Sequence, residues 1–441
     1  VEELNSNKQL LDILEKYESP TTATSIIQDN PVVWSKAVGV EVTDVEGKTY
    51  LDLSSGSGVT NVGHSHPHVV NAITKAANTL LHTGWTYPSI DRIRLLEKLQ
   101  EKMPIELRKL TFAVTGSEGV EVALKLARFH TGKNNFIAFH GAFHGKTAGS
   151  LGVTSRYSFK HKVIPSVSSV SYFHYPNCYR CPFNLTSQMC NIYCMSFMEE
   201  TLKLPSGGLE GIAGIIVEPV QGAEGMVVPV EGFYKRLREI ANRLGLLLIF
   251  DEIFTGMGRT GNFFAFEHED IVPDIVVLGK ALGGGLPLTI VAARNEIVNN
   301  FPPFKQTSTF SGHPLVSSVA CAILDIFEEE KLVKRSAEMG NYLIKKFRLL
   351  QEKFSLIGDV RGRGMMIGIE LVLDDKKTPA KEEAKQFVIK ARENGLILLS
   401  GGSFGNVLKI TPPLILTTQQ ADKICLTFEK IFTEFEGGKH L

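Results

Sequence analysis

The sequence predicts an α/β fold: a large domain with a mostly parallel sheet flanked by helices, followed by a smaller α+β domain. Three observations carry that expectation. Between Leu110 and Phe310, short apolar runs alternate with helical periodicities, as in strand–helix–strand units that cover both faces of one sheet. Several runs, such as Leu246–Phe250 and Ile275–Leu278, are continuously apolar and bounded by turn residues, which suits strands buried on both faces. After Pro314 the pattern changes to two long helical periods and then a mixture of strands and helices.

Taken in order, residues 5–17 have the apolar spacing of a short amphipathic helix. Val40–Asp44 and Thr49–Asp52 flank Glu46-Gly47 and read as a hairpin with a tight turn. Ser54–Pro67, SSGSGVTNVGHSHP, is rich in Gly and Ser, so its backbone is expected close to a ligand or another chain. Helices are expected over 67–81 and 90–102. The expected strands of the alternating region are Leu110–Val114, Phe136–Phe139, Gly214–Val217, Leu246–Phe250, Ile275–Leu278 and Thr289–Ala292, with helices over 118–130 and 231–244. Beyond Pro314 come helices to 330 and 352, a strand Met366–Val372, a helix 380–394, strands Leu396–Leu399 and Val407–Ile410, and a terminal helix 418–436. The expected division is an N-terminal segment, 1–57, packed with the small domain. A large domain, 58–315, carries an insertion at 168–205, and the small domain spans 316–441.

The chain has 441 residues, enough for a large core and two or three domains. Lys plus Arg and Asp plus Glu each number 47, so no overall field favours nucleic acid or an anionic membrane. No apolar run approaches the roughly 20 residues that span a bilayer. The opening stretch, VEELNSNKQLLDILEKYE, lacks the apolar centre of a signal peptide, and a cytoplasmic location is expected. Cys178, Cys181, Cys190 and Cys194 form C-x2-C-x8-C-x3-C. That spacing suits a structural zinc site, a pair of local disulfides or free thiols, in each case in a loop remote from catalysis. Cys321 and Cys425 fall on helical patterns as core residues.

Four places carry chemistry. Lys280 follows a buried strand and precedes Ala-Leu-Gly-Gly-Gly; partly buried, its amine would lose its proton more readily, as a Schiff-base lysine must. Asp251 ends a neighbouring apolar run. Glu252 would point the other way on a strand, which leaves one carboxylate, better suited to a cation than to a metal. Val114-Thr115-Gly116-Ser117-Glu118 joins a strand to a helix, and free N–H groups at a helix start make an anion site. Phe139-His140-Gly141-Ala142-Phe143-His144-Gly145 offers an aromatic ring between glycines, able to lie on a planar ligand. Each has a plainer structural explanation alone: a snorkelling lysine, a cap, a turn, a packed loop. Together they imply one planar, phosphorylated ligand with a cationic nitrogen and an aldehyde, and pyridoxal phosphate has all four features.

On these residues the chain resembles the class-III, or ω-type, aminotransferases of the fold-type-I pyridoxal-phosphate enzymes, over nearly its whole length. The block from Asp251 to Lys280, with Gly256-x-Gly258-Arg259-Thr260-Gly261 inside it, matches the family signature. Further matches are Gly63-His64-x-His66-Pro67, Phe143-His144-Gly145, Glu218-Pro219-x-Gln221-Gly222, Thr309-Phe310-x-Gly312 and Gly358-Asp359-Val360-Arg361-Gly362-x-Gly364. The resemblance implies that Lys280 forms the internal aldimine and carries the proton, and that Asp251 pairs with the pyridine nitrogen. It implies Gly116 and Ser117 on the phosphate, Phe143 and Ile253 on the two ring faces, His144 among the cofactor contacts, and Glu218 orienting the Asp251 region. Thr309 would reach the cofactor phosphate of a partner subunit, so a homodimer or dimer of dimers is implied. Lys409, Val59 and Trp85 are the expected substrate contacts.

Departures from the 4-aminobutyrate-type members bear on substrate more than on cofactor. Phe254 stands where those members carry Gln, Ala223 where they carry Glu, Lys409 where they carry Arg, and His313 where they carry Asn. A lysine lacks the two-pronged fork of arginine. The expected reaction moves an amino group from an amino acid or ω-amino compound to a 2-oxo acid. Racemisation or epimerisation of an amino acid is the alternative on the same scaffold, and decarboxylating, dialkylglycine-type transamination a further one.

Overall fold

A computed structural model describes residues 6–22, 32–163, 170–186, 189–205 and 207–437. The predicted start of the first helix at residue 5, and residues 168–169 and 187–188 of the predicted insertion, lie outside the described residues.

Three sheets organise the chain. The first holds strands β1 (Trp34–Val38), β2 (Glu41–Asp44) and β3 (Thr49–Asp52), joined at its edge by β13 (Leu396–Ile397), which runs parallel to β3. The second is the central sheet, with seven strands in the order β4 (Lys109–Ala113), β10 (Thr289–Ala293), β9 (Ile275–Leu278), β8 (Leu247–Asp251), β7 (Ile212–Val217), β5 (Asn135–Phe139) and β6 (Val170–Phe173). Only β10 runs against the others, antiparallel to both β4 and β9. The third is antiparallel: β11 (Ile357–Arg363), β12 (Met366–Leu371), β15 (Val407–Ile410) and β14 (Leu399–Gly401).

The central strands are buried because both faces are covered. Ile249, Val277 and Val291 pack with Val120, Ala123 and Leu124 of helix α4 (Gly116–Thr131) on one face. Phe250, Val276 and Leu278 turn the other way. They join a core with Leu237 of α5 (Phe233–Leu244) and with Val316 and Ile323 of α6 (Pro314–Glu329). Gly119 lets α4 lie close to the sheet: a Cβ there would stand 2.3 Å from Thr289 Cγ2 and 2.9 Å from Val277 Cγ1. The third sheet is covered by α7 (Leu332–Lys353) and α8 (Lys381–Glu393), on which α9 (Thr418–Gly437) packs, and their rings Phe347, Phe387 and Phe428 are fully buried.

Most expected elements stand within two residues of their predicted bounds. The differences have physical reasons. The helix expected over 67–81 is α2 (Pro67–Thr79) and stops where Leu80 turns extended. The strand expected over Leu396–Leu399 divides at Leu398, and its two halves complete different sheets. The sequence reading omits β1, whose residues are mostly exposed, β6, a half-buried edge strand, and β11. The last is rich in Gly and Arg and becomes a strand through its ladder with β12.

Candidate active site

The parallel strands of the central sheet deliver their C-terminal ends to one edge. Beyond β4 lie Gly116 and Ser117, beyond β5 Phe143 and His144, and beyond β7 Glu218. Asp251 ends β8, pairing with Val277 of β9, and Lys280 lies two residues past β9. In open α/β sheets this edge is where ligands bind. These groups line one cavity of about 660 Å³, together with Ile253, Phe254, Val59 and Lys409.

Asp251 is buried and oriented from two sides. Its Oδ2 accepts from His144 Nδ1 at 2.8 Å and its Oδ1 from the Ile253 N–H at 3.1 Å. Strand alternation sends Glu252 away, where its carboxylate accepts from the N–H groups of Ala265 and Phe266 at 2.7 and 2.9 Å. Burial nevertheless pushes Glu252 up to about 8. Glu218 is also buried and lifted to about 7, mainly by burial, with His144 pulling it down and Asp251 pushing it up. It accepts from the Phe143 N–H at 2.9 Å and the Gly222 N–H at 3.2 Å. It therefore ties the Phe143 loop to the strand end behind it.

Lys280 sits in a left-handed backbone conformation, φ +45°, a strained state for a side-chain-bearing residue that concentrates at functional sites. Burial lowers its amine to about 8, against the pull of Asp251 and Glu218 and with repulsion from Lys409 and Arg259. Lys409, on β15, is lowered to about 8 by burial and by Arg156.

The start of α4 is shaped for an anion. Thr115 caps it by accepting from the Glu118 N–H at 3.2 Å, and Glu118 accepts in return from the Val114 N–H at 2.8 Å. The Gly116 and Ser117 N–H groups belong to the first turn, which has no intrahelical acceptors. Ser117 Oγ accepts from the Lys146 N–H at 3.2 Å, which leaves its own proton to donate. Gly145, at φ +126°, crosses so close that a Cβ would stand 2.3 Å from Ser117 Oγ. This cradle, the buried carboxylate and the buried amine in one cavity fit the phosphate, pyridine nitrogen and aldehyde of pyridoxal phosphate. His144 Nε2 is buried without a hydrogen-bond partner among the described residues.

Of the expected cofactor and substrate contacts, Trp85 and Thr309 stand outside this cavity. Trp85 is exposed and meets Phe304 edge-on at 5.9 Å. Thr309 is exposed too, and its carbonyl accepts from His82 Nε2 at 3.0 Å. Sequence reasoning missed Lys146 and Phe159, both in the cavity wall with the ammonium 4.4 Å from the ring centroid. Lys146 follows the Phe143-His144-Gly145 motif directly, so its signal was available. Phe159 had none.

The four clustered cysteines line a separate cavity of about 20 Å³ with Tyr175, Phe183 and Ile192. Cys178, Cys181 and Cys194 carry free thiols. Burial raises Cys178 and lifts Cys194 to about 12, whereas zinc needs thiolates. Among the described residues no group of three or more His, Cys, Asp or Glu is placed to hold a metal ion. Cys321 is half-buried and Cys425 buried.

Comparison with known proteins agrees with the geometry. The family model "Aminotransferase class-III" matches residues 24–432. A leucine/methionine racemase of Thermococcus litoralis is 37% identical over 97% of this chain and 96% of its own length. A 5-aminovalerate aminotransferase of Pseudomonas aeruginosa is 38% identical over 92% of this chain and 95% of its own. Among solved structures, an amine transaminase from an uncultivated Pseudomonas species, determined with pyridoxal phosphate bound, superposes with a TM-score of 0.88 at 29% identity, covering 95% of this chain and 98% of that one. The chain therefore belongs to the class-III aminotransferase family of pyridoxal-phosphate-dependent enzymes.

Proposed function

We propose that this enzyme moves an amino group from an amino acid or ω-amino compound to a 2-oxo acid, with Lys280 as its proton carrier. The observation that carries the reading is the Lys280 amine: buried, lowered to about 8, and in one cavity with Asp251. Pyridoxal phosphate, when bound, supplies the electron sink that lets a C–H bond beside nitrogen break. Gly116 and Ser117 hold its phosphate through backbone N–H groups and a hydroxyl. Asp251, fixed by His144 and the Ile253 N–H, holds the ring nitrogen in its protonated state. Phe143 and Ile253 cover the ring faces and exclude water, and Glu218 keeps the Phe143 loop in place. Lys280 Nζ, neutral, takes the proton from the donor's amine-bearing carbon. Lys409 holds the substrate carboxylate as a point charge, and Val59 packs against the substrate's apolar part.

The reading includes a homodimer or a dimer of dimers, in which Thr309 reaches the phosphate site of a partner subunit and Trp85 the partner's substrate. The exposure of Trp85, Phe304 and Phe310 in a single chain supports it, since large exposed apolar groups close together mark contact surfaces. It also includes the division into 1–57, 58–315 and 316–441, supported by the pairing of β13 with β3. A cytoplasmic location is part of it, supported by the free thiols of Cys178, Cys181, Cys194, Cys321 and Cys425. No helix among the described residues is long and apolar enough to cross a membrane.

Racemisation is the second reading. It is favoured by the similarity to the Thermococcus litoralis racemase and by a second lowered lysine, Lys409, in the same cavity. One experiment separates the two. The enzyme is incubated with pyridoxal phosphate and single L- or D-amino acids, with and without 2-oxoglutarate, and both chirality and 2-oxo acid are followed. Transfer requires the acceptor and yields a 2-oxo acid from the donor. Loss of chirality without an acceptor overturns the first reading in favour of the second.

A further inference from the structure

Phe254 lines the cavity, yet the chemistry above assigns it no part. Its ring is closely held. A Cβ on Gly58 would stand 2.2 Å from its Cε2, and a Cβ on Gly222 would stand 2.6 Å from its Cδ1. Two segments far apart in the chain thus lack side chains where the ring passes. Gly58 has φ +81° and follows Ser57 at φ +66°, so the Gly- and Ser-rich segment is bent to meet the ring. The ring also packs against the buried cluster of Val220, Met226 and Met366. The face left to the cavity carries Lys280 Nζ, 3.9 Å from the ring centroid, well inside the range of about 6 Å over which an ammonium is attracted to an aromatic face. No hydrogen bond or ion pair among the described residues engages that nitrogen.

We propose that Phe254 is a positioning residue for Lys280: its ring face is the seat on which the lysine ammonium rests whenever the amine is not bonded to the cofactor. The proposal rests on the reading of Lys280 as proton carrier. A lysine side chain has four rotatable bonds, and among the described residues no hydrogen bond or ion pair fixes this one. An aromatic face gives the ammonium one place to wait and needs no carboxylate to neutralise it. It also favours the charged state, opposing the burial that favours the neutral amine. Because Gly58 and Gly222 fix the ring, its face stays in register with the end of β9. An aliphatic side chain of similar bulk fills the slot but offers no such attraction.

The test compares Phe254→Leu with Phe254→Tyr. In the cofactor-free protein, acetylation of Lys280 by acetic anhydride is followed across pH by mass spectrometry. The labelling midpoint is expected to fall by about half a unit in Phe254→Leu and to hold in Phe254→Tyr, which keeps the face. In the loaded enzyme, Phe254→Leu is expected to lower kcat about tenfold with little change in KM, and Phe254→Tyr to recover most of it. Thermal unfolding checks that both variants fold; if Phe254→Leu does not, Phe254→Met takes its place. An unchanged midpoint in the aliphatic variant overturns the proposal. Equal losses in both variants overturn it too, since the ring then only fills space. The labelling needs no substrate, so it gives its answer even if the aminotransfer reading fails.

Discussion

The C-terminal edge of the central sheet and the cysteine loop both gather reactive side chains, and they are built in opposite ways. At the sheet edge each group comes from the end of a different strand, and those strands are locked by cores on both faces. The buried charges there have counter-groups: Asp251 has His144, and Glu218 has two backbone N–H groups. In the loop, four sulfurs come from one stretch, Cys178 to Cys194, and burial raises the thiols of Cys178 and Cys194. Strands deliver distant residues to one point and give them hydrogen-bond partners there. A loop that folds on itself brings only near residues together. Chemical density along a sequence is therefore a weaker sign of function than a shared sheet edge.

Substitutions can break that contrast. Lys280→Ala has the largest expected effect: turnover falls by about 10⁴-fold or more, and added pyridoxal phosphate no longer gives the visible absorbance of the lysine-bound cofactor. Asp251→Asn is expected to lower kcat by about 10²–10³-fold, because a neutral amide does not stabilise a protonated ring nitrogen; steady-state kinetics at saturating cofactor read this directly. A pH series sharpens it further. Capture of the aldehyde needs the neutral amine, so the rate at which cofactor-free enzyme takes up pyridoxal phosphate should rise with pH through about 8 and then level. A solvated lysine would still be rising toward 10.5. The smallest effect belongs to the loop: Cys178→Ser should leave kcat/KM within about twofold, as a surface change far from the chemistry does.

Much of this was legible in the chain itself. Ile275–Leu278 is a continuous apolar run ended by Gly279-Lys280, and its bounds match the strand in the structure. Such runs are readable because full burial leaves no polar position to blur them. β11 was hidden for the opposite reason: its Gly358, Arg361 and Gly362 look like a loop, and its strand state depends on a ladder with β12. Trp85 and Thr309 matched a pattern of residues but not the geometry of their own chain's cavity. Phe254 was visible as a departure from the family, while its contact with Lys280 was not. That contact requires Gly58 and Gly222 to arrive together from two distant segments, and no local spacing records it.

The division of the expected strand at Leu398 has a mechanical consequence. Ile397 is the last residue paired with the N-terminal sheet, opposite Asp52. Leu399 is the first paired with the C-terminal sheet, opposite Lys409. One residue thus separates the two ladders, so the N-terminal and C-terminal sheets are joined through Leu398 alone at this point. A shear applied to the N-terminal hairpin has no slack in which to dissipate before it reaches the backbone partner of Lys409.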